Sequence, residues 1–321
     1  MTELKHRVVM ANGIRIHLVE AGNGPLVLMV HGFPESWYSW RHQLHALANA
    51  GYRAAAIDVR GYGRSSAPTG IDEYRMTKHV ADNLGVVEAL GEKSAIIVGH
   101  DWGAPIAANS ALLRPDVFRA LALLSVPYSP RGARRPSEAF RAMGGKEEFY
   151  IEYFQQPGRA EAEIEPDVGG WLLGFYYCAS GDAPAPAAGG TMATIPHGGR
   201  MRDRLTIPEK LPGWLTAEDL DFYVSEFECT GLTGGLNRYR NVDRDWEDLA
   251  AFTGQPITVP SLFIGGEKDG PTRWGGAAIS NFSKTLPGLR GSHVLSGCGH
   301  WVQQERPREV NELLVKFVKG L

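Results

Sequence analysis

Four nearly unbroken apolar runs, PLVLMV (25–30), AAAIDV (54–59), AIIVG (95–99) and ALALLSV (120–126), constrain the fold more than any other feature of the chain. Each is strand-sized. A strand that is apolar at every position is covered on both faces, as in a mostly parallel sheet. IRIHLVE (14–20) alternates instead, like a half-buried strand. Helical stretches separate the runs: WYSWRHQLHALANA (37–50), MTKHVADNLGVVEAL (76–90) and APIAANSALLRP (104–115). Strands alternating with helices predict an α/β fold with a doubly wound, mostly parallel sheet.

The alternation stops near residue 131 and resumes near 246. Between them lie aromatic helical stretches (EEFYIEYFQQPG, GGWLLGFYYCASG, AEDLDFYVSEFECTG) and a loose loop, GDAPAPAAGGTMATIPHGG (181–199). The expected organisation is a core built from 1–130 and 246–321, with a helical cap inserted over 131–245. ITVPSLFIGGEKD (257–269) and GSHVLSGCGH (291–300) restore the strand pattern. REVNELLVKFVKG (308–320) then sets Val310, Leu313, Leu314 and Phe317 on one helical face.

The 321 residues, 43% apolar and 21% charged, suit one large domain with an insert. A net charge of −3 gives no footprint for nucleic acid, and the densest basic stretch, RGARRPSEAFR (131–141), reads as a solvated hinge. The start, MTELKHRVVMANG, lacks the apolar stretch of a signal peptide. No apolar run approaches the about 18 residues needed to cross a membrane. Cys178, Cys229 and Cys298 are too scattered for a disulfide framework or a metal cluster. A cytoplasmic protein with reduced thiols is expected, with neither membrane nor nucleic acid as partner. Monomer and homodimer both fit.

In open α/β sheets ligands bind beyond the carboxyl ends of the strands. Those ends carry HGFP (31–34), DVRGYGRSS (58–66), GHDWGA (99–104), GGEKD (265–269) and GCGHW (297–301). GHDWGA follows a strand and opens a helix, and its glycines leave room for a sharp turn that lifts Asp101 clear of the sheet. Capping of the helix by Asp101 is the simpler reading, but it explains neither the glycines nor the other strand ends. An aspartate is already ionised at neutral pH, so it can attack an sp³ carbon without a base. The resulting ester must then be cleaved, which needs a general base and an oxyanion hole. His300, at the end of the last apolar run, and Asp269, at the end of the preceding one, offer base and orienting acid in the order nucleophile, acid, histidine. Glu267 is the nearest rival of Asp269. The backbone N–H groups of Phe33 and Trp102 are the expected oxyanion donors, and Pro34 can set the HGFP turn through a cis bond.

With these residues in place, the chain resembles the epoxide hydrolases of the α/β-hydrolase superfamily nearly end to end, on HGFPESWYSWR (31–41), DVRGYGRSS, GHDWGA, GGEKD and GCGHW. The resemblance implies two cap tyrosines that activate the epoxide oxygen, one before an FQxPG segment and one in a GGLNxYR segment. The matching residues are Tyr150 in YIEYFQQPG and Tyr239 in TGGLNRYRN. Tyr153 is the nearest competitor of Tyr150, while Tyr176, Tyr177 and Tyr223 read as cap core. The expected reaction adds water to an epoxide through an ester on Asp101, with no metal or organic cofactor. Phe33, Pro34, Trp37 and Trp102 are the expected substrate contacts, which implies a small apolar epoxide.

Haloalkane dehalogenases of the same superfamily are less similar. They take a second halide donor from the HGxP loop or a cap tryptophan, whereas this loop holds Phe33 and the cap holds the tyrosine pair. A non-catalytic ligand receptor on the same fold is the alternative from another class, and such proteins often lack a triad member that is present here.

Overall fold

The computed structural model describes residues 3–184 and 191–321. In chain order their strands are β1 (Lys5–Ala11), β2 (Ile14–Ala21), β3 (Leu26–Val30), β4 (Arg53–Ile57), β5 (Ala95–His100), β6 (Phe118–Leu124), β7 (Glu148–Phe149), β8 (Thr194–Ile195), β9 (Ser261–Gly266) and β10 (Leu289–Leu295). Eight of these form one sheet in the order β1-β2-β4-β3-β5-β6-β9-β10. Its pairs are parallel except β1–β2 and β2–β4. This is the doubly wound, mostly parallel sheet that the apolar runs predict, with the antiparallel pairs at one edge.

The alternation of side chains along each strand gives the sheet two apolar faces. Leu26, Leu28, Val30, Ile97, Leu121 and Leu123 point to one face, where Met76 and Val86 of α2 (Met76–Ala89) and Ile106 of α3 (Gly103–Leu113) cover them. Val27, Met29, Ile96 and Val98 point to the other. There they meet Leu44 and Leu47 of α1 (Arg41–Asn49) and Val310, Leu314 and Phe317 of the helix Pro307–Lys319. Each such fully buried aliphatic side chain contributes about 1.5–3 kcal/mol.

Among the described residues, none between 131 and 245 joins this sheet; β7 and β8 pair only with each other. The other regular elements of the segment are helices, two of them with sharply marked starts. Asp167 accepts the Gly170 N–H ahead of Val168–Ala179, and Thr216 and Asp219 form a capping box ahead of Ala217–Thr230. Its aromatic residues Phe154, Trp171, Phe175 and Tyr239 pack into the same apolar cluster as the first face of the sheet.

Three local readings change. Residues 5–11, given no element by the sequence pattern, form the edge strand β1, of which only Val9 and Ala11 are buried. Residues 37–40 form a separate 3₁₀ turn, opened by Ser36, before α1 begins. The 181–199 stretch is not a loose loop throughout, because Thr194–Ile195 pairs with Glu148–Phe149. Residues 185–190 of that stretch lie outside the described residues. No helix among the described residues is long and apolar enough to cross a membrane.

Candidate active site

Asp101 stands between β5 and α3 with φ of +49°, in the left-handed region that non-glycine residues avoid. Close backbone approach creates this turn. A Cβ on Gly99 would lie 2.0 Å from the Gly103 carbonyl oxygen, and one on Gly103 would lie 2.0 Å from that of Val30. Gly32 of the HGFP turn is pressed equally hard against the carboxylate, where a Cβ would come within 2.3 Å of Asp101 Oδ1. That proximity lets the Phe33 N–H donate to Asp101 Oδ1 at 2.8 Å. The Phe33–Pro34 bond is cis. Among the described residues the Trp102 N–H makes no hydrogen bond to the Asp101 carboxylate.

His300 Nε2 lies 3.5 Å from Asp101 Oδ2, and its Nδ1 lies 2.8 Å from Asp269 Oδ1. Asp269 is fully buried and caps the helix Gly270–Trp274. Its second oxygen accepts from the Thr272 N–H at 3.1 Å, the Thr272 hydroxyl at 2.7 Å and the Ser125 hydroxyl at 2.8 Å. Ser125 itself has φ of +71° and places its Oγ 3.0 Å from His300 Nδ1. Glu267, the rival acid, is exposed and accepts from Ser296 and the Gly297 N–H.

Charges follow from this geometry. Burial alone would raise the Asp101 carboxyl, but His300, His100 and the Phe33 N–H outweigh it and hold the group below the usual carboxylate range. Burial alone would lower His300, yet Asp269 and Asp101 on either side raise it well above an ordinary imidazole. Each shift favours the charged form of its own group, a carboxylate at Asp101 and an imidazolium at His300.

Tyr150 and Tyr239 come from opposite parts of the insert and bring their ring centroids to 6.0 Å. Burial first, then the Asp101 charge, raises both phenols, so both stay protonated. The Tyr150 hydroxyl has no hydrogen-bond partner among the described residues. The competing Tyr153 donates instead to Glu163 Oε2 at 2.5 Å, Tyr176 to the Pro34 carbonyl and Tyr223 to Gln304. A cavity of about 640 Å³ lies against Asp101, Trp102 and Tyr150, walled by Leu112, Phe140 and Trp246. That volume suits a small organic ligand.

The comparisons with known proteins agree with this geometry. A family model described as alpha/beta hydrolase fold matches residues 25–307. Epoxide hydrolase B of Mycobacterium tuberculosis is 43% identical over 350 residues, covering 98% of each chain. Epoxide hydrolase A of the same organism is 45% identical over 317 residues, covering 98% of this chain and 97% of its own. A solved epoxide hydrolase from an endophytic Streptomyces is 64% identical, with a TM-score of 0.97 over 99% of this chain and 96% of its own. The chain belongs to the epoxide hydrolases of the α/β-hydrolase fold.

Within this epoxide hydrolase fold, the four expected substrate contacts do not come together. Only Trp102 lines the cavity, with the Arg238 guanidinium 4.8 Å from its ring centre. Phe33 turns its ring into the aromatic packing of Phe154, Trp171, Phe175 and Tyr239, and Pro34 is buried behind it. Trp37 stands apart from the cavity, contrary to expectation: the 3₁₀ turn carries it to the opposite face of the sheet, against His6 and Phe222, where its backbone N–H donates to Asp58.

Sequence reasoning missed two further groupings. His100, noted only as a neighbour of the turn, places Nδ1 2.7 Å from Glu35 Oε2 and Nε2 2.8 Å from the His300 carbonyl. Glu35 also accepts the Gly32 N–H, so one buried carboxylate braces both the HGFP turn and the base loop. Its position directly after HGFP was the available signal. The second is the ion pair of Arg238 with Asp245, which also accepts the Met76 N–H. It ties the Tyr239 helix to α2, and nothing local in the sequence marks it.

Proposed function

We propose that the protein hydrolyses an epoxide to a vicinal diol in two steps, the first forming an ester on Asp101. The observation that carries this reading is the Asp101 carboxylate, 3.5 Å from His300 Nε2 and lining one cavity with Tyr150, whose ring packs against that of Tyr239. In the first step an Asp101 oxygen bonds to a ring carbon and that carbon's bond to the ring oxygen breaks. Tyr150 and Tyr239 hydrogen-bond the emerging alkoxide and one of them gives it a proton; the proton on His300 then restores that phenol and leaves the imidazole neutral.

Esterification also abolishes one of the two charges that raise His300. Its affinity for a proton falls when it must become a base. Neutral His300, oriented by Asp269, takes a proton from water, whose oxygen bonds to Asp101 Cγ. The oxyanion is held by the N–H groups of Phe33 and Trp102. Collapse breaks the bond from Cγ to the alkyl oxygen. One water proton leaves on the diol, and the other restores the imidazolium.

The substrate we infer is a small, largely apolar epoxide, in keeping with the cavity walls, and the reaction needs no cofactor. Three unpaired cysteines fit a reducing compartment, and we place the enzyme in the cytoplasm. The test is diol formation from styrene-type and aliphatic terminal epoxides, alongside halide release from matched bromoalkanes. Diol without halide is expected. Halide release, or saturable binding with no turnover of any epoxide, overturns the reading.

A further inference from the structure

We propose that Glu305 is a positioning residue for ester hydrolysis, clamping the His300 loop and the stem of the 181–199 segment together through three peptide N–H groups. The inference rests on the two-step reading above and extends it to a residue that touches neither substrate nor nucleophile.

Glu305 Oε2 accepts the Gly299 N–H at 2.8 Å and the Gly181 N–H at 2.9 Å, while Oε1 accepts the Trp301 N–H at 3.0 Å. Gly299 and Trp301 flank His300, so one carboxylate fixes the peptide on either side of the base. Gly181 comes from the insert. Its backbone lies against the base loop so closely that a Cβ on Gly299 would come within 2.3 Å of the Gly181 nitrogen. The His300 N–H also donates to the Ala179 carbonyl at 2.8 Å, and Lys268, next to Asp269, donates to the Gly181 carbonyl at 2.6 Å. Base loop, acid loop and insert thus meet at one junction, and Glu305 is the side chain that spans it.

The chemistry explains why a carboxylate stands there. Three N–H donors converge on two oxygens, and no ion pair satisfies Glu305 among the described residues. A glutamine in the same pose would turn an NH₂ donor toward one of those donors. Burial raises the Glu305 carboxyl, whereas the three peptide groups and then the His300 charge act against that rise. Its negative charge therefore also favours the imidazolium that forms as water is deprotonated.

Displacing a catalytic group by about 1 Å can cost roughly 100-fold in rate. The step that uses His300 as a base is hydrolysis, whereas attack by Asp101 does not need that base. The experiment is single-turnover kinetics of the full chain as Glu305→Gln and Glu305→Asp, reading ester formation and ester decay separately, with His300→Gln as reference. Ester decay is expected to slow by about 10- to 100-fold in Glu305→Gln and less in Glu305→Asp. Ester formation should keep its wild-type order of magnitude, so ester accumulates. Equal losses in both steps, or no loss in either, overturn the clamp, with thermal melting used to confirm that each variant is folded. If His300→Gln accumulates ester while Glu305→Gln behaves as wild type, only the clamp falls. If His300→Gln accumulates no ester, the two-step reading falls and the clamp with it.

Discussion

The two halves of the site are held in different ways. Asp101, Asp269 and His300 stand on strand-end turns, fixed by main-chain contacts that only glycine permits and by buried hydrogen bonds. Tyr150 and Tyr239 hang from the insert, and even these two differ. The Tyr239 helix and the turn after it are tied to the core by polar bonds: Arg238 donates to the Tyr74 carbonyl, Asn241 donates to the Ile71 carbonyl, and Asp245, paired with Arg238, accepts the Met76 N–H. The Tyr150 turn rests on stacked rings, Phe149 on Phe140, with Trp274 beside them, and these same rings line the cavity. The attacking side is thus held by close main-chain packing and hydrogen bonds at the strand ends. The activating side is assembled across the chain, and its Tyr150 wall is where the cavity gains its shape.

The contrast can be broken most severely at the floor. Asp101→Ala should lower kcat by at least about 10⁴-fold, as removal of a nucleophile does, with circular dichroism unchanged. Retained diol formation would mean that water attacks the ring directly. At the roof, Tyr150→Phe or Tyr239→Phe should each lower kcat/KM by about 100-fold, the loss of one of two donors to a developing oxyanion. The decay of preformed ester should be unaltered. A much smaller effect of one than of the other would show that the two walls do not share the epoxide oxygen.

The ionic tie of the Tyr239 wall has its own signature. Asp245→Ala leaves the Arg238 guanidinium buried without its counter-charge, and urea unfolding should show a loss of about 3–5 kcal/mol. A change below about 1 kcal/mol, the scale of an exposed pair, would mean that the tie does not carry the wall.

The pH dependence separates the two steps. Ester formation needs Asp101 ionised, and its carboxyl lies below the usual range. Its rate should therefore hold as pH falls past the ordinary carboxylate value of about 4. Ester decay needs His300 neutral, so it should fail first on acidification, and ester should build up at mildly acid pH in rapid-quench experiments. Parallel loss of both steps would remove the carboxylate–imidazolium picture. The smallest expected effect is at Ser125. Removing its hydroxyl leaves Asp269 two of three donors to Oδ2, and a hydrogen bond worth about 1 kcal/mol should slow ester decay about fivefold.

The same contrast explains what the sequence makes legible. The sheet can be read because β3 is apolar throughout and β5 and β6 are nearly so, and GHDWG marks the candidate nucleophile because the turn, its glycines and Asp101 are contiguous. Tyr150 and Tyr239 needed a family resemblance, since nothing in the aromatic run Phe149, Tyr150, Tyr153 and Phe154 distinguishes a donor from packing. Ser125 and Asp269 are 144 residues apart in sequence, and Glu305 and Gly181 are 124 apart, so no local pattern announces either contact. Trp37 shows the converse error. An aromatic residue close to HGFP looks like lining, but a single 3₁₀ turn sends it through to the other face of the sheet.

The central claim is that water oxygen enters the enzyme before it enters the product. Single-turnover hydrolysis in ¹⁸O-water, with enzyme in excess, followed by mass spectrometry of the peptide containing Asp101, tests it directly. The account predicts that ¹⁸O appears in the Asp101 carboxylate and that the first diol released is unlabelled. Label in that first diol, with an unlabelled Asp101, would contradict it.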